Sequence, residues 1–148
     1  MITVRRAQLA DVAVVAPLFD AYRQFYGRSP DPELAARFLT ERIANGESIV
    51  YLAETREGEA VGFTQLYPSF SSVSARRIYI LNDLFVVPTA RRANVGRGLL
   101  HAAGEFARGK GALRLALSTA KSNEKAQALY ESEGWVRDQQ YYHYSLEL

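Results

Sequence analysis

The segment from residue 78 to residue 100 reads IYILNDLFVVPTARRANVGRGLL, and it carries most of the information about the fold. Its long apolar run predicts a strand at the centre of a sheet, over residues 77–87. Pro88 and three closely spaced arginines follow, and the apolar residues Leu99 and Leu100 then indicate a helix over residues 96–108. Because the first amides of a helix lack internal partners and carry partial positive charge, a basic turn before a helix predicts a phosphate site.

Two other phosphate motifs begin in this region, but their spacing does not fit. Gly96 and Gly98 start a dinucleotide-binding fingerprint, yet His101 occupies its third glycine position and the next strand ends without an acidic residue. Residues 104–111, GEFARGKG, follow the phosphate-loop pattern until Gly111, where the motif requires Ser or Thr. That segment also follows a helix instead of preceding one, so a cap at a helix C-terminus explains it better.

Residues 91–96, RRANVG, resemble the pyrophosphate loop of the GNAT superfamily of acyl-CoA-dependent N-acetyltransferases, whose pattern is Arg/Gln-x-x-Gly-x-Gly/Ala after a strand ending in Val-x-Pro. Asn94 stands where the first glycine usually lies, and asparagine tolerates left-handed backbone. Residues 123–135, NEKAQALYESEGW, resemble a second segment of the superfamily, Asn-x-x-Ala-x-x-Leu-Tyr-x-x-x-Gly-Phe/Trp. The resemblance covers most of the chain, and it looks closest to the polyamine and histone branch, which is diamine acetyltransferase-like.

The resemblance implies an α/β fold of the α+β type, in which about four helices flank a mixed, mostly antiparallel central sheet with a parallel crossover. Hydrophobic periodicity and turn signals agree with this order of elements. Helices are expected after Asp11, after Asp31, over residues 96–108 and up to Gly134. Strands are expected at Ile2 to Val4 and over residues 49–54, 60–67, 77–87, 113–117, 135–138 and 141–146. Residues 68–75 are expected to form a loop, and residues 1–148 to form a single domain.

The composition is that of an ordinary soluble enzyme. Of the 148 residues, 48% are apolar and 23% are charged, and the formal net charge is +2. With no cysteine and two distant histidines, His101 and His143, the chain indicates neither a disulfide framework nor a metal site. No stretch resembles a signal core or a membrane helix, so the cytoplasm is the default expectation. Because the basic residues cluster in the predicted turn, the charge favours a phosphorylated cofactor over nucleic acid.

The resemblance implies acetyl-CoA as co-substrate, bound without a metal. In the superfamily, the pantetheine arm lies in an opening between two strands and bonds to backbone groups, one of which can polarise the thioester carbonyl. Carried over position by position, the implied cofactor contacts are Leu84, Phe85, Val86, Arg91, Arg92, Ala93, Asn94, Val95, Gly96, Arg97, Asn123, Ala126 and Tyr130.

Two side chains are candidates for catalysis. An alkylammonium acceptor must lose a proton before it attacks, because its pKa is near about 10.4. Asp83 is the candidate base, in a pair with Asn82 where the resembling branch carries Glu-Asp or Asn-Asp; its alternative role is an ion pair with an arginine such as Arg77. Tyr130 matches the tyrosine that protonates the departing thiolate of CoA, and its alternative role is that of a core tyrosine.

The acceptor is predicted to be a small primary amine, such as a polyamine or an amino acid, with a protein lysine second. In the superfamily the first two helices and the final hairpin form its pocket, where aromatic rings and carboxylates suit a cation. Tyr22 and Asp83 are the substrate residues selected here, although Tyr22 by itself is better explained as a core residue on a helix face. Further candidates, each singly better explained as a core, capping or surface residue, are Asp20, Tyr26, Asp31, Glu33, Tyr141, Tyr142 and His143.

Two other classes of function stay open on the sequence. A catalytically silent acyl-CoA-binding module would use the same turn, because Asn82 cannot act as a base if the family's Glu position supplies it. A nucleic-acid patch is disfavoured, because aromatic residues do not interleave the basic ones. Its residues would be Arg91, Arg92, Arg97, Arg108, Lys110 and Arg114. No nucleic-acid or membrane partner is expected, and the last strand could pair across a homodimer.

Overall fold

The computed structural model describes residues 1–91 and 94–148. They form nine regular elements in the order β1 (Ile2–Arg6), α1 (Val12–Phe25), α2 (Pro32–Ala44), β2 (Ile49–Thr55), β3 (Ala60–Ser71), β4 (Arg76–Val86), α3 (Val95–Gly109), β5 (Leu115–Ala116) and α4 (Glu124–Ser132). Short 3-10 turns at Leu9–Asp11 and Pro88–Ala90 precede α1 and α3. The chain divides into two compact units, Met1–Ser118 and Thr119–Leu148, and the sheet belongs to the first.

The five strands lie in the sheet in the order of the sequence, β1-β2-β3-β4-β5. The pairs from β1 to β4 are antiparallel, whereas β5 pairs with β4 in parallel after the connection through α3. A parallel pair requires a long crossover, because a tight turn reverses the direction of the chain. The predicted fold class, a mixed and mostly antiparallel sheet with a parallel crossover and four helices, is therefore confirmed.

Apolar residues pack on both faces of the sheet. On one face, buried residues of α1 and α2, among them Leu39, pack against Phe63 of β3. On the other face, buried residues of α3, among them Leu99, pack against Ala53 of β2. Burial on both faces explains why the central strands are apolar runs instead of alternating apolar and polar residues.

Strand β3 is longer than predicted, because residues 68–71 extend it instead of forming a loop. Pro68 lies opposite Tyr79 of β4, whose N–H donates to Arg114 O on the far side, so this pair does not exchange backbone hydrogen bonds. The ladder with β2 ends at Leu66. On the β2 side, Pro68 has no ladder partner among the described residues, so its missing N–H costs no ladder hydrogen bond there. A strand tolerates proline at such a position.

The end of the chain differs most from the prediction. Strand β5 covers only Leu115–Ala116 and is half-buried, although Leu113 N also donates to Arg77 O at 2.8 Å. No strand is assigned to the described residues after β5, so the predicted strands over residues 135–138 and 141–146 are wrong for this structure. Alternating apolar residues make a strand possible, but a partner ladder is what stabilises it. The argument for a homodimer loses the edge strand on which it relied.

Within residues 1–91 and 94–148, no helix combines the length and the apolar character of a membrane span. Across the same residues, the structure brings no three His, Asp or Glu side chains together as a metal site would require.

Candidate active site

A β-bulge in β4 sets the direction of the Asp83 side chain. Gln65 of β3 lies opposite Asp83, and the next β3 residue, Leu66, lies opposite Leu81. Asn82 is therefore an extra residue in β4. Such a bulge interrupts the regular alternation of side chains between the two faces of a strand.

Ring contacts on either side of the bulge show that the alternation is reversed. Before the bulge, the ring of Tyr79 packs against Phe106 of α3, with 5.2 Å between the ring centroids. After the bulge, the ring of Phe85 packs against Tyr22 of α1 at 6.4 Å. Positions 79 and 85 would share a face in a regular strand. Asp83 therefore lies on the face of α1 and α2 because Asn82 forms a bulge and takes no regular place in the alternation.

The Asp83 side chain is 2% exposed and is held by neutral donors. Gln65 Nε2 donates to Asp83 Oδ2 at 2.5 Å, and Asn82 Nδ2 donates to Oδ1 at 2.8 Å. The Tyr22 hydroxyl donates to the backbone oxygen of Asn82 at 3.3 Å, and the Thr64 hydroxyl donates to the backbone oxygen of Asp83 at 2.7 Å. Among the residues that the structure describes, no cation pairs with this carboxylate, and burial of an unpaired carboxylate is costly, so its position needs a reason other than packing.

Burial raises the pKa of Asp83, and the hydrogen bonds from Asn82 and Gln65 to its carboxylate oppose this rise in part. Burial raises the pKa of Tyr22 as well, and the nearby charge of Asp83 adds to that rise. The pKa of Tyr67 is raised for the same two reasons. Both hydroxyls thus stay protonated at neutral pH, while the carboxyl is a stronger base than an exposed aspartate.

The ion pair considered for Asp83 and Arg77 does not form. The Arg77 guanidinium lies over the rings of Phe70 and Tyr79, at 4.9 and 5.8 Å from their centroids. Tyr79 packs on α3, so the Arg77 guanidinium lies with the residues on that face of the sheet. Asp83 lies on the opposite face.

Strand β4 extends beyond its parallel partner. The ladder with β5 consists of the pairs Tyr79–Leu115 and Ile80–Ala116, and β4 continues to Val86. The opening predicted between these two strands therefore begins after residue 80 in the described sheet, at the level of the bulge.

Backbone groups in this last part of β4 alternate in direction. Val87 N donates to Val61 O at 2.9 Å. In an antiparallel ladder, hydrogen-bonded and non-hydrogen-bonded pairs of residues alternate. Phe85 and its β3 neighbour therefore form a hydrogen-bonded pair, and the backbone N–H and C=O groups of Leu84 and Val86 point to the opposite edge of β4. Of the three backbone contacts expected for the cofactor, Leu84 and Val86 have the required direction, whereas Phe85 contributes its ring to the core.

Asn94 adopts the left-handed conformation predicted for it, with φ 59° and ψ 24°, and is the N-cap residue of α3. Its carbonyl accepts the first helical hydrogen bond, from Gly98 N at 3.0 Å. Val95, Gly96 and Arg97 form the first helical turn, where amide groups point out of the helix end and favour an anion.

Arg91 links this turn to the end of β4. Its Nε donates to the backbone oxygen of Val86 at 2.9 Å, and its guanidinium lies 6.0 Å from the ring centroid of Phe85. The side chain of Arg91 thus packs on the end of β4. Two further predicted cofactor contacts, Arg92 and Ala93, lie outside the described residues.

Tyr130 lies at a helix end with a well-defined cap. Trp135 N donates to Tyr130 O at 3.0 Å, and Gly134 N donates to Glu131 O at 3.2 Å. Gly134 has φ 91°, and the rings of Tyr130 and Trp135 are 6.0 Å apart. This is a Schellman motif with its hydrophobic contact, and it explains physically why the second resembling segment ends in Gly-Trp.

Two other predicted contact residues cap helices, and a third lies beside one of these caps. Asn123 Oδ1 accepts from Ala126 N at 3.2 Å at the start of α4, and Asp31 Oδ1 accepts from Leu34 N at 3.1 Å at the start of α2. Asp20 is buried and accepts from Asp31 N at 2.9 Å. The predicted cap role of Asp31 is therefore confirmed, whereas Asp20 is a buried hydrogen-bond acceptor beside that cap.

Three residues near Asp83 were not among the predicted site residues. They are Gln65 and Tyr67 of β3, the strand that pairs with β4, and Ser48, which directly precedes β2. A signal was present for Gln65, because an amide in the middle of the apolar run VGFTQLY indicates a buried polar group that needs partners.

Known proteins resemble this chain over most of its length. Residues 15–135 match the family model of the acetyltransferase (GNAT) family. The chain belongs to this family. The uncharacterized N-acetyltransferase YhfO of Bacillus subtilis is 50% identical over 143 residues, which cover 97% of this chain and 95% of that protein. The crystal structure of a probable acetyltransferase aligns with a TM-score of 0.93 at 44% identity, covering 99% of this chain and 97% of that one.

The protein is thus an acyltransferase, and acetyl-CoA is the co-substrate that is general in this family. A relative with a named acceptor is the aminoglycoside N(6')-acetyltransferase type 1 of Klebsiella aerogenes. It is 31% identical, and the match covers 68% of this chain and 67% of that protein. The superfamily predicted from the two motifs is confirmed, whereas the finer assignment to the polyamine and histone branch is not.

Proposed function

We propose that this acetyltransferase transfers the acetyl group of acetyl-CoA to the primary amine of a small acceptor, and that both compact units work as one domain. The observation that carries the proposal is the Asp83 carboxylate, which is buried at the bulge on the face of Tyr22 and has a raised pKa. A buried acid with a raised pKa is what an amine acceptor needs from a proton-accepting group.

Residues of the first unit fit the parts of acetyl-CoA. The left-handed Asn94 starts α3 so that the amides of Val95 and Gly96 face outward, which suits a pyrophosphate. The edge of β4 that carries the backbone groups of Leu84 and Val86 suits the amides of a pantetheine arm. When bound, acetyl-CoA supplies the acetyl group as an activated thioester.

In this proposal Asp83 accepts the proton that the acceptor amine loses. Because Asp83 is nearly inaccessible to solvent, the proposed route for the proton passes through the hydroxyl of the half-buried Tyr22, which donates to the backbone oxygen of the neighbouring Asn82. The hydroxyl takes a proton from the amine as it gives its own to the carboxylate. Tyr22 is thus the substrate residue and Asp83 the base.

Tyr130 is the proposed acid that protonates the departing thiolate of CoA. The Schellman cap and the ring of Trp135 fix the end of the helix that carries it. A phenol hydroxyl is a proton donor, so in this proposal Tyr130 gives its proton to the sulfur as the thiolate forms.

The names of relatives support a small acceptor. Besides the aminoglycoside enzyme, a D-amino-acid N-acetyltransferase of Saccharomyces cerevisiae is 27% identical over 95% of this chain and 89% of that protein. A thialysine N-epsilon-acetyltransferase of Mus musculus is 30% identical over 56% of this chain and 54% of that protein. Amino acids and aminoglycosides are therefore the first acceptors to test, followed by polyamines and lysine peptides.

The test is a screen of these amines that follows free CoA with a thiol reagent. The chain contains no cysteine, so the protein itself gives no thiol signal. We expect at least one small amine to raise CoA release above hydrolysis, and Asp83→Asn to abolish this gain. Glu54→Gln, which alters a carboxylate paired with Arg5 in the same sheet, is the control and should keep the activity. Binding of acetyl-CoA without transfer to any amine would instead show a silent module.

A further inference from the structure

A chain of three buried polar side chains ends at Asp83. Ser48, Gln65 and Asp83 are 5%, 0% and 2% exposed. Ser48 Oγ donates to Gln65 Oε1 at 2.6 Å, and Gln65 Nε2 donates to Asp83 Oδ2 at 2.5 Å. An apolar residue of similar volume could fill the place of Gln65 without the cost of burying an amide, so packing alone does not explain this chain.

The hydrogen bonds of this chain have a direction. An amide side chain can present either its oxygen or its NH₂ group to a neighbour, because the two ends have nearly the same shape. A carboxylate accepts only from the NH₂ end. The carboxylate therefore selects the orientation of Gln65, and the Ser48 hydroxyl, which donates to the oxygen end, anchors the amide in that orientation.

We propose that Ser48 and Gln65 are positioning residues of the acetyl transfer: Gln65 holds the Asp83 carboxylate in place beside Tyr22, and Ser48 holds Gln65 in the orientation that this requires. The proposal rests on the function proposed above, in which Asp83 accepts the proton of the amine. Neither Ser48 nor Gln65 needs to touch a substrate for this role.

The groups that face Asp83 make the effect of Gln65 predictable. Tyr22 of α1 and Tyr67 of β3 lie close enough for its charge to raise their pKa values, and Arg42 of α2 acts on Tyr67. Burial raises the pKa of Asp83, and the hydrogen bond from Gln65 opposes that rise. Loss of this bond therefore moves the pKa of Asp83 further up, and the base becomes protonated at a higher pH.

The test compares three variants of the full chain. Gln65→Met keeps the length of the side chain but removes the donor, and Ser48→Ala removes the hydroxyl that anchors Gln65. Thr64→Val is the matched control, because the Thr64 hydroxyl is equally buried and bonds to the backbone of Asp83, not to its carboxylate. Two quantities are measured: the pH dependence of kcat/KM with an amine found in the screen, and the carbon-13 NMR titration of the Asp83 carboxyl.

We expect Gln65→Met to move the acid limb of kcat/KM and the NMR titration upward together, by roughly one pH unit, since a hydrogen bond to a charged group has about this effect. Ser48→Ala should move both by less and in the same direction, and it provides the answer if Gln65→Met does not fold. Thr64→Val should move neither, even where it lowers the melting temperature.

An Asp83 titration that is unchanged in both variants would overturn the proposal. A shifted titration with an unchanged acid limb would also overturn it, because the contact would then be structural. If the unaltered enzyme acetylates no amine, the proposed function fails, while the NMR titration still decides whether Gln65 controls the carboxyl.

Discussion

Gly62 lies where α3 packs on the sheet, and Gly62→Ala tests how this packing supports the anion site. A Cβ at this position would lie 2.9 Å from the backbone oxygen of Phe85, 3.1 Å from Val95 Cγ1 and 3.3 Å from Leu99 Cδ1. The first of these atoms is backbone of β4 and cannot move alone. The second belongs to the first residue of α3, which follows Asn94 directly. The extra methyl group therefore pushes α3 away at the end where the phosphates are proposed to bind.

The expected cost follows from these distances. Inserting a methyl group into a packed interior costs about 1–3 kcal/mol, and alanine recovers roughly 0.5–1 kcal/mol relative to glycine inside a strand. A net loss of about 1–2 kcal/mol corresponds to a decrease of about 2–8 °C in Tm for a chain of this size. Acetyl-CoA binding should weaken by about tenfold, because one misplaced amide at a charged group costs at least about 1.5 kcal/mol.

Thermal unfolding and calorimetric titration with acetyl-CoA measure both effects. Gly104→Ala is the control on the same helix, because its Cβ would meet only the flexible Arg108 side chain, at 3.3 Å. This control should raise Tm slightly, since alanine is favoured over glycine inside a helix by about 1 kcal/mol. If Gly62→Ala leaves both Tm and acetyl-CoA affinity unchanged, the contact between β3 and the first turn of α3 does not support the site.

Three further predictions concern single residues of the site. Tyr130→Phe should lower kcat by roughly 10² with little change in acetyl-CoA affinity, and an unchanged kcat in steady-state assays would remove the acid assignment. Asn94→Gly should keep acetyl-CoA affinity, whereas Asn94→Val should cost about 1–2 kcal/mol in urea unfolding because valine is strained at φ 59°. The raised pKa of Asp83 means that the folded protein binds more protons than the unfolded chain at pH values from its ordinary 3.8 up to that raised value. The free energy of unfolding should therefore fall as pH rises through this window, and urea titrations of Asp83→Asn, measured beside the unaltered protein, should lack that component.

The sequence was most informative where a residue type favours a particular local backbone conformation. Asn94 was predicted to take left-handed backbone because asparagine tolerates it, and the structure has φ 59° there. The run after it was predicted to be a crossover helix, and α3 joins the only parallel pair of the described sheet. Both predictions depend on local conformation and on short-range order, which a single sequence contains.

The position of Asp83 was not predictable in the same way. Residues 77–87 are apolar on both faces, so no alternation marks where a side chain changes face. The bulge at Asn82 is a property of the register between β3 and β4, in which Gln65 pairs with Asp83 and Leu66 with Leu81. Register depends on contacts between strands, and the chain gives no local signal for it. The pairing of Gln65 with Asp83 depends on the same register, although the amide within VGFTQLY did indicate a buried polar group.

The bulge and the buried charge support a common interpretation. If Asn82 took a regular place in the strand instead of forming a bulge, Asp83 would lie on the face of Tyr79. Phe106 and α3 fill the space on that face. The sheet could form in that register, but a carboxylate would be placed in an apolar layer without its donors. With the bulge, the same carboxylate accepts a hydrogen bond from Gln65 and lies on the Tyr22 face of the sheet. This position is where β4 extends beyond the end of its ladder with β5. Burial of the carboxylate lowers stability at neutral pH, and such a cost at a buried acid agrees with the proposed role of Asp83 as the base for the acceptor amine.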